Sequence, residues 1–324
     1  MSIETKIIDY IEKKVKRGFA SFESRCPVEC NHCYTFMSGY KHDTSKKIEE
    51  IIISLNDKDY DIIYISGHCE NFINEEKGVE LAEKVYEHCK CDVLITTRMV
   101  LSDKMIDRLS ALKNAMVTKG NDLFICSSIP AFESYRKLEP SELMPTPKDR
   151  IEFLRKLYNK DIFTFLTLRP LFPNYYIPVK EALTVISEAH DCSSVVLSSG
   201  AVVNEDIVKR LKGFELKRSL EKDLMKCLNA PIPVKYVDVC EELEIIEEGS
   251  RRFDLPFFHE SLVAVKFLKL VSKEMQKIER YELFTRFMLA LKGCLEMVDE
   301  FSSKTDNESQ RDFWLGIKKL LSNK

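Results

Sequence analysis

Short apolar runs alternate with amphipathic stretches along the first 200 residues. The apolar runs predict strands at 18–23, 61–66, 91–96, 122–129, 162–168 and 194–198. The amphipathic stretches predict helices at 45–55, 75–89, 102–112, 146–158 and 179–190. Apolar strands that alternate with helices are typical of parallel βα units wound in a right-handed sense. The pattern therefore predicts an α/β fold, a partial (β/α)6 TIM-like barrel over residues 18–200 with an opening at its side.

The segments that flank the predicted barrel are expected to be helical. Apolar residues at helical spacing predict an N-terminal helix over residues 1–17. Residues 201–324 are predicted to form a mostly helical C-terminal region, with one short strand at 234–239. Apolar positions recur every three or four residues at 260–301 and 310–321. These last segments predict two or three packed helices that cap the barrel or mediate self-association.

The composition is that of an ordinary globular protein, with 324 residues, 31% charged residues and a net charge of -3. Eleven cysteines would suggest disulfides in a secreted protein, but the opening residues MSIETK lack an apolar signal core. No apolar run approaches the roughly 18 residues that a membrane span requires. We therefore expect a cytoplasmic protein with reduced thiols and no membrane association.

Three cysteines lie close together in the nonapeptide CPVECNHCY, which directly follows the first predicted strand. Cys26, Cys30 and Cys33 have the spacing C-x3-C-x2-C, and no fourth cysteine follows in the loop. Three thiolates from one loop can hold three irons of a [4Fe-4S] cluster and leave the fourth iron open. The alternative is a zinc site, for which His32 or the distant Cys89 and Cys91 could supply further ligands. Functional residues of such barrels lie at the carboxyl ends of the strands, where this loop is expected.

The C-x3-C-x2-C spacing followed by Tyr34 resembles the signature loop of the radical S-adenosylmethionine enzymes. In that family the open iron chelates the methionine part of S-adenosylmethionine, and reductive cleavage gives a 5'-deoxyadenosyl radical. The resemblance implies that Cys26, Cys30 and Cys33 bind the cluster and that Tyr34 lies beside the adenine. It also implies an electron donor such as flavodoxin or ferredoxin.

Polar residues after the other predicted strands are candidates for binding S-adenosylmethionine. Gly67 and Glu70 resemble the Gly-Gly-Glu segment that holds the methionine ammonium in the family, although Glu70 could equally be an acid at the start of a helix. Arg98 follows the third strand and could meet the carboxylate or ribose of the cofactor. Ser128 offers a hydroxyl to the ribose, and Arg169 could clamp a carboxylate in a fork. The alternative for both arginines is a surface ion pair.

A longer pattern resembles the branch that contains spore photoproduct lyase and related DNA-repair photolyases. It comprises Thr96-Thr97-Arg98, Leu138-Glu139-Pro140, Pro147, Arg150 and Leu168-Arg169-Pro170-Leu171-Phe172-Pro173. Arg98 stands where the branch has a lysine. Cys69 falls near the position of a cysteine that returns a hydrogen atom to the repaired thymine, so the resemblance implies a catalytic role for it. The alternative is a buried structural thiol, because cysteine is common in protein cores.

The resemblance extends from about Phe19 to Ser199 and leaves the last third unmatched. It predicts a radical enzyme that abstracts hydrogen from its substrate, with a DNA photolesion as the leading substrate. A peptide, a tRNA base or a small metabolite is the rival substrate class, and a zinc-knuckle interaction protein is the non-enzymatic rival. Several basic residues of the last third could contact a DNA backbone or form the solvated face of a helix. These are Lys209, Arg210, Lys212, Lys217 and Arg218.

Overall fold

The computed structural model describes residues 15–22, 26–37, 46–55, 59–65, 69–220 and 234–274. Residues 15–261 form one compact unit, and the described residues 262–274 belong to a second. Gly67, the first 14 residues of the predicted N-terminal helix and the helices predicted after residue 274 lie outside the described residues. Arg17, expected at the end of that helix, instead begins the first strand.

Ten strands are present among the described residues. They are β1 (Arg17–Ala20), β2 (Ile62–Ile65), β3 (Asp92–Thr97), β4 (Leu123–Ser128), β5 (Phe163–Leu171), β6 (Val195–Gly200), β7 (Val202–Val203), β8 (Ser219–Leu220), β9 (Lys235–Val237) and β10 (Phe257–Phe258). The main sheet has the order β1-β2-β3-β4-β5-β6-β10, and each neighbouring pair in it is parallel. Sequential parallel strands with helical crossovers confirm the predicted α/β fold and partial barrel.

Nine α-helices accompany these strands in the described part of the chain. They are α1 (Ile48–Ser54), α2 (Glu75–Cys89), α3 (Asp103–Val117), α4 (Tyr135–Leu138), α5 (Pro147–Tyr158), α6 (Val179–Ala189), α7 (Glu205–Arg210), α8 (Cys240–Arg252) and α9 (Ser261–Glu274). Helix α5 begins with a capping box. The Thr146 hydroxyl accepts a hydrogen bond from the Asp149 amide over 3.2 Å, and Pro147 occupies the first turn.

The central strands are apolar because both of their faces are covered. All four residues of β2 and all six residues of β4 are buried. The register is continuous across the sheet, so that Ile63 pairs with Val93 and Val93 pairs with Leu123. A strand that packs on helices on one side and on the barrel interior on the other has no solvated face. Continuous apolar runs, rather than alternating ones, are the result.

The loop after β4 is held by the Glu181 carboxylate of α6. Glu181 Oε2 accepts hydrogen bonds from the amides of Phe132, Glu133 and Ser134 over 2.9–3.0 Å. Its Oε1 accepts a further bond from the Ser134 hydroxyl over 2.7 Å. Glu181 is buried, so these four donors replace the water that its charge would otherwise bind. This contact fixes the segment that leads into α4.

A small antiparallel sheet with the order β7-β9-β8 follows the barrel. The chain enters it through Gly200, where a Cβ atom would lie 2.5 Å from the Val237 carbonyl oxygen. Strand β9 corresponds to the strand predicted at 234–239. The helices predicted after residue 200 are thus joined by four short strands, of which β10 extends the main sheet beside β6. Among the described residues, no helix is both long and apolar enough to cross a membrane.

Candidate active site

A cavity of about 380 Å³ lies at the carboxyl ends of the parallel strands. The three cysteines of the loop, Cys69 and the residues predicted to bind S-adenosylmethionine all line it, except Gly67, which lies outside the described residues. The lining candidates are Cys26, Cys30, Cys33, Tyr34, Cys69, Glu70, Arg98, Ser128 and Arg169. Positions up to 143 residues apart in sequence therefore meet in one place, because parallel strands end at the same edge of the sheet.

The cysteine loop is a series of tight turns. The Cys33 amide donates to the Cys30 carbonyl over 3.1 Å, and the short 3-10 helix Tyr34–Phe36 follows. Glu29 has a φ angle of +50°, a left-handed conformation that turns the chain between the first two cysteines. The three thiols are free, and burial raises the pKa of Cys30 to about 12. A metal that binds these sulfurs would displace their protons.

Residues far along the chain hold this loop in place. Asn31 donates through its amide to the Leu138 carbonyl over 2.8 Å, and through its side chain to the Lys137 carbonyl over 2.9 Å. Arg210 donates to the carbonyls of Glu29 and Cys30 over 3.0 and 3.3 Å. The sequence suggested that Arg210 could belong to the solvated face of a helix, but its side chain also contacts the cysteine loop. Its contact with the cysteine loop had no signal in the sequence.

Glu139 forms a buried ion-pair network behind the cavity wall. Its Oε1 accepts from Arg98 Nε over 2.8 Å and its Oε2 accepts from Arg150 Nη2 over 2.6 Å. Arg150 also donates to the Ser128 carbonyl over 2.6 Å. Burial by itself opposes ionisation of Glu139, but the guanidinium groups of Arg150 and Arg98 outweigh it and lower the pKa. The Leu-Glu-Pro segment and its downstream arginine thus meet as an ion pair.

Arg98 also faces the cysteine loop. Its Nη2 lies 3.5 Å from His32 Nε2. Burial, and then the Arg98 charge, lower the pKa of His32 to about 3, so the imidazole is neutral at neutral pH. The alternative for Arg98 was a surface ion pair. Arg98 does form an ion pair, but its side chain is largely buried and lies at the cavity rather than at the surface.

Glu70 lies between the ends of β2 and β3. Its Oε1 accepts from the Thr97 hydroxyl over 2.7 Å and from the Phe72 amide over 3.2 Å, while its Oε2 accepts from the Arg98 amide over 2.8 Å. The Phe72 contact caps the 3-10 helix Asn71–Ile73, so Glu70 does act as the acid at a helix start. The same carboxylate also lines the cavity. Burial raises its pKa despite the three donors.

Cys69 reaches the cavity beside a small polar cluster. Its Sγ lies 3.1 Å from the Ser21 hydroxyl and 3.0 Å from Asn71 Oδ1. Asn71 Oδ1 also accepts from the Phe22 amide over 3.2 Å, which ties the cluster to the chain just after β1. The side chain is half-buried. Its thiol hydrogen therefore has neighbours that can orient it at the cavity wall.

Ser128 and Arg169 occupy the wall formed by β4 and β5. The Ser128 hydroxyl donates to the Arg169 carbonyl over 2.7 Å. The Arg169 guanidinium donates to the His259 carbonyl, and among the described residues no carboxylate pairs with it. The surface ion pair that was the alternative for Arg169 is therefore not found among the described residues. Thr96, from the motif that contains Arg98, also lines the cavity. Further polar lining residues were not predicted from the sequence, namely Tyr64, Cys126, Thr167, Ser199 and Ser261.

No family model matches the sequence, and no curated protein is detectably similar to it. Solved structures, in contrast, share its fold. A cysteine-to-serine mutant of spore photoproduct lyase matches with 11% identity and a TM-score of 0.53, covering 78% of this chain and 82% of the lyase. Its tyrosine-to-phenylalanine mutant matches with 12% identity, the same coverage and a TM-score of 0.50.

A further match is Streptococcus suis SuiB bound to S-adenosylmethionine, with 13% identity and a TM-score of 0.50. It covers 79% of this chain and 53% of SuiB. At identities this low, the structural matches show a shared fold and no more than that. The predicted likeness to the spore photoproduct lyase branch is confirmed at that level.

Proposed function

We propose that this chain, which has the fold of spore photoproduct lyase and SuiB, is a radical S-adenosylmethionine enzyme. The observation that carries the proposal is the meeting of three thiols from one loop with Glu70 and Arg98 around one cavity. Cys26, Cys30 and Cys33 would hold a [4Fe-4S] cluster there. With S-adenosylmethionine bound, the cluster would supply one-electron cleavage of the sulfonium to a 5'-deoxyadenosyl radical.

The residues around the thiols fit such a group. The guanidinium groups of Arg98 and Arg210 lie beside the cysteine loop, and positive charge favours thiolate ligands. Two further cysteines of the described residues line the cavity, and neither belongs to the loop: Cys69 follows β2 and Cys126 lies in β4. Three ligands from one loop are the set that leaves one iron open.

The remaining lining residues would position S-adenosylmethionine. Glu70 has two carboxylate oxygens with about four acceptor sites, of which three are used, so one remains for the methionine ammonium. Arg98 would face the methionine carboxylate, and Arg169 offers a second cation. Ser128 donates to a backbone carbonyl, so its oxygen can accept from a ribose hydroxyl. Tyr34 would lie against the adenine.

The zinc alternative loses support from the same contacts. Cys30, His32 and Glu139 place ligand atoms within 4.8 Å of one another. However, both Glu139 oxygens are occupied by the guanidinium groups of Arg98 and Arg150. Two positive charges there oppose binding of a divalent cation. The distant thiols Cys89 and Cys91 do not line the cavity.

For the substrate we propose a DNA photolesion. The proposal is supported by the Leu-Glu-Pro segment with its ion-paired arginine and by the position of Cys69 at the cavity wall. Cys69 would return a hydrogen atom to the substrate radical, since a thiol S–H bond is weak. Reduction would come from a donor such as flavodoxin or ferredoxin. We place the enzyme in the cytoplasm, where free thiols such as those described here stay reduced.

Anaerobic reconstitution with iron and sulfide tests the proposal. Wild-type protein, Cys30→Ala and Cys192→Ala would be reduced with dithionite and given S-adenosylmethionine, and 5'-deoxyadenosine would be measured by chromatography. Cys192 is a matched control because its thiol is fully buried but lies away from the cavity.

We expect iron, sulfide and 5'-deoxyadenosine in wild type and Cys192→Ala, and loss of all three in Cys30→Ala. Protein that binds about one zinc and forms no 5'-deoxyadenosine, even with a thymine photolesion present, would contradict the proposal.

A further inference from the structure

Arg210 ends helix α7 and reaches back 181 residues to the cysteine loop. Its Nη2 donates to the carbonyls of Glu29 and Cys30, over 3.0 and 3.3 Å. The guanidinium carbon also lies 4.5 Å from the centre of the Phe36 ring, which belongs to the turn that follows Cys33. One side chain therefore contacts the loop both between its first two cysteines and beyond its third.

The contacts restrain a backbone that has an uncommon conformation. Glu29 lies in the left-handed region with a φ angle of +50°, which is less favourable for a residue with a side chain. Its carbonyl, and that of the ligand residue Cys30, point to the same nitrogen of Arg210. A charged donor makes stronger hydrogen bonds than a neutral one. Arg210 therefore stabilises the turn that sets the spacing of the first two thiols.

Among the described residues no carboxylate forms an ion pair with Arg210, which contacts the two carbonyls and the Phe36 ring. A cation beside a cluster stabilises the reduced state, which carries one more negative charge. Nearby charge and hydrogen bonds are among the factors that set the potentials of iron-sulfur clusters.

We infer that Arg210 is a positioning residue that fixes the Glu29–Cys30 turn and raises the reduction potential of the cluster held by the loop. The inference rests on the proposed function for the cluster, but the restraint of the turn does not require it. A higher potential would ease delivery of the electron by a physiological donor.

The test compares wild type with Arg210→Gln, Arg210→Lys and Lys209→Gln. Lys209→Gln is the matched control, because it removes the same charge from the neighbouring, exposed residue of α7. Two measurements are made. Hydrogen exchange in cluster-free protein reports on the loop, and redox titration followed by electron paramagnetic resonance gives the cluster potential in reconstituted protein.

In cluster-free protein we expect faster amide exchange over residues 29–36 in Arg210→Gln and wild-type exchange in Lys209→Gln. In reconstituted protein, the midpoint of Arg210→Gln should be more negative. At the wild-type midpoint its ratio of reduced to oxidised cluster should fall about three- to tenfold. Arg210→Lys keeps the charge but lacks the forked guanidinium group, so its cluster potential should lie between those of wild type and Arg210→Gln.

Wild-type exchange together with a wild-type potential in Arg210→Gln would overturn the inference while leaving the proposed function intact. A wild-type protein that assembles no iron-sulfur cluster would overturn the proposed function and the redox part of the inference. The exchange measurement then decides the positioning role alone. An Arg210→Gln protein that cannot be reconstituted, beside Arg210→Lys and Lys209→Gln proteins that can, would support that role.

Discussion

The Glu139 carboxylate accepts a hydrogen bond from Arg150 over 2.6 Å, and neither side chain reaches solvent. The second Glu139 oxygen binds Arg98, whose guanidinium also faces His32 in the cysteine loop. The pair therefore connects helix α5 to the cavity wall through one carboxylate. Removing a partner from such a pair leaves an uncompensated buried charge.

Arg150→Met should lower the free energy of unfolding by about 3–5 kcal/mol, because Glu139 loses one of its two guanidinium partners and the Ser128 carbonyl loses its donor. Lys104→Met is the control, since its ion pair with Glu76 is exposed and should contribute less than about 1 kcal/mol. Urea denaturation of cluster-free protein measures both. Equal effects of the two substitutions would show that the buried pair contributes nothing beyond a surface pair.

Glu181→Gln should lower the free energy of unfolding by about 2–4 kcal/mol. The amide has the shape of the carboxylate, but the three backbone donors lose a charged acceptor. With the amide oxygen turned toward them, the NH2 group takes the place of the oxygen that accepts from the Ser134 hydroxyl. Glu188→Gln, on the exposed side of the same helix, should change stability by less than about 0.5 kcal/mol. Thermal denaturation with a van't Hoff analysis separates them. A Glu181→Gln protein as stable as Glu188→Gln would contradict the role of the carboxylate.

Cys69→Ser tests hydrogen return to the substrate. Serine can keep the contacts to Ser21 and Asn71, but its O–H bond is too strong to donate a hydrogen atom readily. Iron content and 5'-deoxyadenosine formation should stay within about twofold of wild type, while repaired product from a thymine photolesion dinucleotide should fall about tenfold or more. Cys89→Ser is the control away from the cavity. Undiminished repair by Cys69→Ser would remove Cys69 from the mechanism.

The Cys89 thiol should react with alkylating agents at a rate that depends on pH and on its neighbour Cys91. A hydrogen bond from Cys91 lowers the pKa of Cys89, which is half-buried, whereas Cys91 is buried. More thiolate is then present at neutral pH, and the rate of alkylation by iodoacetamide falls about tenfold per pH unit below the pKa.

In Cys91→Ala the pKa of Cys89 should rise, so its alkylation profile should shift to higher pH. Peptide mapping by mass spectrometry follows Cys89, with the exposed Cys240 as the reference thiol in the same protein. Coincident Cys89 profiles in the two proteins would exclude the hydrogen bond as the cause.

Buried parallel strands are well predicted from this sequence because both of their faces are apolar. The pattern predicts a strand at 61–66 and β2 occupies Ile62–Ile65, while the helix predicted at 146–158 is found as α5, Pro147–Tyr158. Strand β10 has only two residues, too few for a period to appear, and each of them pairs with a residue of β6 that lies 61 positions earlier in the chain. Local patterns predict elements, but they do not identify every neighbour.

Some residues at or near the candidate site could be predicted from local sequence, and others could not. The three cysteines lie within eight residues, so their spacing alone indicates a shared ligand role. Glu181 and Arg210, in contrast, are charged residues on helices with ordinary amphipathic patterns, and each reads as a solvated side chain. Their burial or contacts arise from segments 47 to 181 residues away. Such roles become visible only when tertiary contacts are known.

The distance in sequence between the cysteine loop and its supports also orders events in time. A ribosome that adds 5–20 residues per second needs roughly 10–40 s to proceed from Cys30 to Arg210. During that interval the nascent chain carries three closely spaced thiols without the side chains that shape their turn. Iron delivered during that interval would meet a loop that has not yet folded, whereas iron delivered after synthesis would meet a loop that Arg210 already holds in place. The order of translation thus favours late insertion of the proposed cluster.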